Sequence, residues 1–162
     1  MIFKKFIFLL LASLLFSACG QKKYDKQESI LLVFKTAVFK HNDLAFLYEN
    51  AQSLKIEVYS NGQAGATLSL DQNSICLSFL ECMSNQKFNT TVLNAAYPEQ
   101  ILMNILRGRS IFSGQNISRM RNGFTQKIVK EGKYAIDYSV LNNDILFFDK
   151  INGIYIKVQR LE

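Results

Sequence analysis

Three Asn-Gly dipeptides, Asn61-Gly62, Asn122-Gly123 and Asn152-Gly153, each separate two runs of apolar or alternating residues. Both residues tolerate the positive φ that a type I′ turn demands, so this pair is the strongest short-range signal for a β-hairpin. Before the first turn Leu54, Ile56 and Val58 alternate with Lys55, Glu57 and Tyr59, and after it come Ala64, Ala66, Leu68 and Leu70. The second turn lies between Ile117 to Arg121 and Phe124 to Val129, and the third between Ile145 to Lys150 and Ile154 to Leu161. Three such turns predict an antiparallel meander. The flanking segments share turn chemistry and little else, so this is not an internal repeat.

One segment reads as a helix inside this β-rich chain. Tyr97-Pro98-Glu99 precedes Ile101, Leu102, Ile105 and Leu106, and Gly108 follows. Proline is tolerated in a first helical turn, a carboxylate suits the N-terminal dipole, and glycine terminates. Its apolar residues fall on one face, which predicts a helix that packs on, or plugs, the concave side of the sheet. From Ser29, the residues Ile30, Leu31, Leu32, Val33, Phe34, Ala37 and Val38 recur at helical spacing but are rich in β-branched and aromatic types, and here too a helix is expected. Leu44, Phe46, Leu47 and Tyr48 leave helix and strand open. The expected class is therefore mainly β (α+β): a curved antiparallel sheet or half-open β-barrel with a short covering helix and an N-terminal helix.

The chain begins with Lys4 and Lys5, runs apolar from Phe6 to Phe16, and then reads Ser17, Ala18, Cys19. This is the order of a secretory signal, and the run is shorter than the about 20 residues a membrane helix needs. Leu15-Phe16-Ser17-Ala18-Cys19-Gly20 resembles the lipobox of bacterial lipoproteins, with Phe16 where an aliphatic residue is commonest. That resemblance implies cleavage before Cys19 and diacylglycerol on its thiol. Gly20, where Asp would signal retention in the inner membrane, implies the outer membrane; the periplasmic face is expected ahead of the cell surface, with the choice of face left open. The expected organisation is a signal peptide over 1–18, a lipidated tether over 19–28 and one β-rich domain over 29–162. Loss of the leader leaves 144 residues and, because it carries two lysines and no acid, lowers the formal charge from +6 to +4. That length fits one domain, and that charge suits anionic lipid or lipopolysaccharide but falls far below the basic density of a nucleic-acid binder.

Catalytic constellations are not apparent. His41, the only histidine, follows Lys40 in a polar stretch and reads as a surface residue. Asp137, Asp144, Asp149 and Glu131 are scattered and read as solvated strand edges and turns. The phosphate-cradling glycine context is missing. The expectation is a non-enzyme with no cofactor and no metal. Cys76 and Cys82 would form a disulfide in an oxidising compartment or remain two buried thiols. From Arg107 to Lys133 seven basic residues face one acid, and Arg107, Arg109, Arg119, Arg121 and Lys127 form a candidate patch for anionic lipid. Arg119 and Arg121 would share a strand face. The alternative is a solubilising face with edge-protecting lysines. Phe34, Phe39, Phe46, Phe79, Phe88, Phe112, Phe124, Phe147 and Phe148 would fill a core or line an apolar cavity.

The hairpin over Leu54 to Leu70, the helix Pro98 to Leu106 ending in Arg107-Gly108, and the closing runs Tyr134-Ala135-Ile136-Asp137-Tyr138 and Ile154-Tyr155-Ile156-Lys157-Val158 resemble the LolA/LolB group of lipoprotein carriers and receptors. The likeness spans about two-thirds of the mature chain. It implies a half-open barrel lidded by helices, with inward phenylalanines holding the acyl chains of lipoproteins or lipids. The loop Ser60-Asn61-Gly62-Gln63 departs from the LolB pattern, since it lacks the exposed large aliphatic residue known there. The competing class is a non-catalytic docking or assembly lipoprotein of an envelope complex.

Overall fold

Along β1 (Lys26–Lys35) Ile30, Leu32 and Phe34 are at most 1% exposed, whereas Leu31 between them is 40% exposed. This period of two is that of a strand with one face on the core, and it corrects the expectation of an N-terminal helix. The local pattern was compatible with either state; pairing on both sides decided it, because β1 lies between β2 (Lys40–Glu49) and β11 (Ile154–Arg160) in the middle of the sheet. The strand also begins inside the expected tether over 19–28, at Lys26. The computed structural model describes residues 23–60, 62–78 and 80–161. The signal peptide, Cys19, Asn61 and Phe79 lie outside the described residues.

The remaining strands are β3 (Leu54–Ser60), β4 (Gln63–Leu70), β5 (Ser74–Leu77), β6 (Leu80–Ser84), β7 (Ile117–Met120), β8 (Gly123–Lys130), β9 (Tyr134–Leu141) and β10 (Asp144–Asp149). They form one open antiparallel sheet of eleven strands, ordered β6-β5-β4-β3-β2-β1-β11-β10-β9-β8-β7 and not closed into a barrel. Each half is a meander, and the two halves join where the first strand meets the last, with Leu32 opposite Val158 and Phe34 opposite Ile156. Helices α1 (Asn85–Val92) and α2 (Ile101–Leu106) both belong to the connection 85–116, which runs from one edge strand, β6, to the other, β7. They pack on the concave face in one core with Leu47, Ile56, Leu68, Ile136, Ile145 and Phe147.

The Asn-Gly pairs all fall at hairpins, but in three different ways. Ser60 pairs with Gln63 around the first, and Gly62 has φ +78°. At the second, Met120 pairs with Gly123, so the loop is Arg121-Asn122 and the glycine opens β8. Only glycine fits there: a Cβ would stand 1.9 Å from the Val140 carbonyl oxygen. At the third, Gly153 closes a longer loop from Asp149 to Ile154. A further two-residue hairpin, Asn142-Asn143 with φ 50° and 67°, joins β9 to β10 by the same positive-φ chemistry without a glycine.

Helix α1 has an unusual buried stripe: Asn85, Phe88, Asn89 and Val92 at i, i+3, i+4 and i+7. Two asparagines on the inner face hide this helix from any hydropathy period. Ser84 caps it, accepting from the Lys87 N–H at 3.2 Å.

Candidate functional site

Helix α2 supplies the centre of the concave face. Ile101, Leu102, Ile105 and Leu106 are all at most 1% exposed, and Met103 is buried beside them. Gly108, at φ +64°, donates its N–H to Ile105 O and ends the helix. The core these residues join includes four of the expected phenylalanines, Phe34, Phe39, Phe88 and Phe147, while Phe112 and Phe124 pack partly buried against it. Phe46 and Phe148 instead meet Tyr59 and Tyr155 outside this core.

The connection 85–116 is fastened to the sheet by polar pins. Asn89 Nδ2 donates to Pro98 O within it, and Asn85 Nδ2 donates to Gln72 O in the loop after β4. Tyr97 donates its hydroxyl to Asp149. Tyr138, deep in β9, donates to Arg109 O at 2.8 Å. Gln126 of β8, 1% exposed, accepts from Ile111 N–H at 2.9 Å and donates to Ile111 O and Gln115 O. Between these pins Phe112, Ser113 and Asn116 all adopt positive φ, which for non-glycine residues costs of the order of 1 kcal/mol or more each.

Asp149 corrects one expectation, because it is fully buried rather than solvated at a strand edge. Burial would raise its pKa, but hydrogen bonds from Tyr97, Asn152 and the N–H groups of Ala135 and Ile151 outweigh that and hold the carboxylate below its ordinary range. Burial, reinforced by Asp149, pushes the Tyr97 phenol well up, so it stays protonated and donates.

The expected basic patch is divided. Arg107 is a buried pin: its side chain is 5% exposed, Nε lies 3.2 Å from Glu49, and its two terminal nitrogens donate to Asn50 O, Ala51 O and Ser53 O. Arg109 is exposed nearby. Arg119 pairs with Phe124 at the concave side of edge strand β7, and Arg121 lies past the end of that strand, in the turn, so the two do not share a strand face. Lys127 points to the opposite face from Gln126 and Ile128, toward the convex side. Paired residues share a face and neighbours alternate, so five basic residues that look like one patch in sequence reach four separate places.

Arg107 and Arg109 meet at a groove of about 500 Å³ on the sheet's rim, bounded by the loops after β2 and β4 and by one side of α2. Sequence reasoning could not assemble it, because its walls come from three distant segments. Cys76 and Cys82 are bonded and tie edge strand β6 to β5. His41 on β2 sits 3.9 Å from Asp43 with its ring against Phe39.

Comparison of the chain with protein-family models, with curated proteins and with solved structures found no match.

Proposed function

We propose that this chain is a lipid-anchored protein of the outer membrane, attached through Cys19, that holds the acyl chains of lipoproteins or lipids against the concave face of its sheet, as the LolA/LolB carriers it resembles do. Binding rather than catalysis is its task. One observation carries the proposal: the cover over the apolar face is a single connection, 85–116, that contributes no strand to the sheet. It can move outward as a piece while every strand pairing stays intact.

The magnitudes favour exchange. Burial of Ile101, Leu102, Met103, Ile105 and Leu106 is worth about 1.5–3 kcal/mol each, on the order of 10 kcal/mol together. An acyl chain of about 15 methylenes, at about 0.8 kcal/mol each, offers on the order of 12 kcal/mol against the same face. Neither occupant dominates, and the strained backbone at Phe112 and Ser113 lowers the cost of displacement.

Among the described residues all eleven strands and both helices lie within 26–160, so a chain beginning at Gly20 carries the described core without lipid. It should bind a fluorescent fatty-acid probe at micromolar concentration, and binding should tighten when Gln126→Leu loosens one end of the cover. Absence of binding by both folded proteins rejects the carrier.

A second reading has its own support. On the convex face Leu31 pairs with Leu44 in register, and both are exposed at the centre of the sheet. Such a surface suits a docking lipoprotein. Crosslinking from Leu44 in cells, with no acyl ligand recovered, would favour it.

A further inference from the structure

The rim groove is built for a polar, negatively charged guest. Arg109 is exposed on it, and among the described residues no carboxylate lies within 4.0 Å of its guanidinium. Arg107 stands behind, its charge offset by Glu49, and its Nε makes no hydrogen bond despite that ion pair. The groove wall therefore carries about one net positive charge. Four carboxamides, those of Gln52, Gln72, Asn73 and Asn104, line it and make no side-chain hydrogen bond within the described protein. A carboxamide both donates and accepts, which suits hydroxyl groups, whereas a guanidinium fork suits phosphate oxygens. Asp71 borders the adjoining cleft but does not line this groove.

Met103 links the groove to the interior. It lines the groove wall and also belongs to the buried core with Leu102 and Leu106. Met103 is thus where the groove and the apolar core meet. A groove of about 500 Å³ with four unspent carboxamides is far larger than a fatty-acid carboxylate fills; it is in the range of small-ligand sites.

We propose that this groove seats the phosphate and glycerol hydroxyls of an anionic amphiphile, such as a phosphatidylglycerol-like lipid, with Arg109 as the phosphate contact. This rests on the acyl-carrier proposal for where the chains go, but not for the headgroup contact.

The test uses the full-length lipidated protein in phosphatidylcholine nanodiscs, with empty nanodiscs as the partition control. The soluble probes are inorganic phosphate and glycerol 3-phosphate; the amphiphilic ones are lysophosphatidylglycerol and lysophosphatidylcholine. Glycerol 3-phosphate should bind more tightly than inorganic phosphate, and lysophosphatidylglycerol more tightly than either. Arg109→Ala should weaken glycerol 3-phosphate and lysophosphatidylglycerol about tenfold. Lys35→Ala, an equal loss of charge on the convex face, should alter each less than twofold. Asn104→Ala, which removes a hydroxyl partner only, should weaken glycerol 3-phosphate but not inorganic phosphate. Equal effects of Arg109→Ala and Lys35→Ala, or inorganic phosphate binding as tightly as lysophosphatidylglycerol, would overturn the assignment. Failure of the carrier reads differently: glycerol 3-phosphate then binds in an Arg109-dependent way while neither lysolipid outcompetes it.

Discussion

Tyr97 donates its phenolic hydrogen to the Asp149 carboxylate at 2.5 Å, joining the loop between the two helices to the end of β10 across 52 positions of sequence. The carboxylate also accepts from Asn152 and from the N–H groups of Ala135 and Ile151. It therefore fixes the cover, the β9 start and the last hairpin at one point. Because its pKa is depressed on folding, its stabilisation is present above the unfolded value of about 3.9 and lost as pH falls through the folded value. Asp149→Asn should cost about 2–3 kcal/mol at pH 7. The deficit relative to the parent should narrow as pH falls below about 3.9, because the unfolded chain takes up a proton at this position there while the native carboxylate still holds its charge. Urea unfolding at pH 7 and pH 3 measures both; a deficit independent of pH contradicts this role.

Gln126 is the pin that holds the 109–116 end of the connection, and its loss leaves the strand pairings intact. Gln126→Leu leaves Ile111 N–H and O and Gln115 O without their partner, at a cost on the order of 3 kcal/mol. Hydrogen exchange should accelerate over 109–116 well before it does in β1 or β11. Uniform acceleration across the sheet would show that the cover does not open on its own.

Gly123 and Gly132 separate conformational strain from collision. Both have positive φ, but a Cβ at Gly132 meets nothing within 4 Å, whereas at Gly123 it meets Val140 O. Gly132→Ala should cost about 1–2 kcal/mol. Gly123→Ala should cost clearly more, because the β8–β9 ladder must part. Thermal unfolding of the two variants ranks them directly.

The Cys76–Cys82 bond closes a short loop, with a sequence separation of 6. Chain entropy puts its contribution at about 2–3 kcal/mol. Cys76→Ser with Cys82→Ser should lower the urea midpoint accordingly and raise exchange in β6 first, since that strand is the sheet edge the bond secures.

Cys19→Ser should abolish incorporation of a palmitate analogue, since only a thiol accepts the diacylglyceryl group. Undiminished label on the serine variant would contradict the anchor.

What the sequence determined by itself is local. Alternation over Leu54 to Tyr59 and Ile154 to Val158, positive-φ dipeptides at the turns, and the Pro98 to Gly108 pattern each declare their element within about ten residues, because side-chain period and turn sterics act over that range. What tertiary structure decided is every feature whose partner is distant. β1 is a strand because Val158 and Ile156 of β11 lie opposite Leu32 and Phe34. Asn85 and Asn89 face inward because Gln72 O and Pro98 O await them. Asp149 and Gln126 are polar residues that only the folded chain supplies with enough partners to bury. Arg107 leaves the basic run it shares with Arg109 for the same reason: the carbonyls of Asn50, Ala51 and Ser53 converge on it. Burying a polar side chain costs least where hydrogen bonds meet it, and composition and period carry no record of which distant backbone groups will supply them.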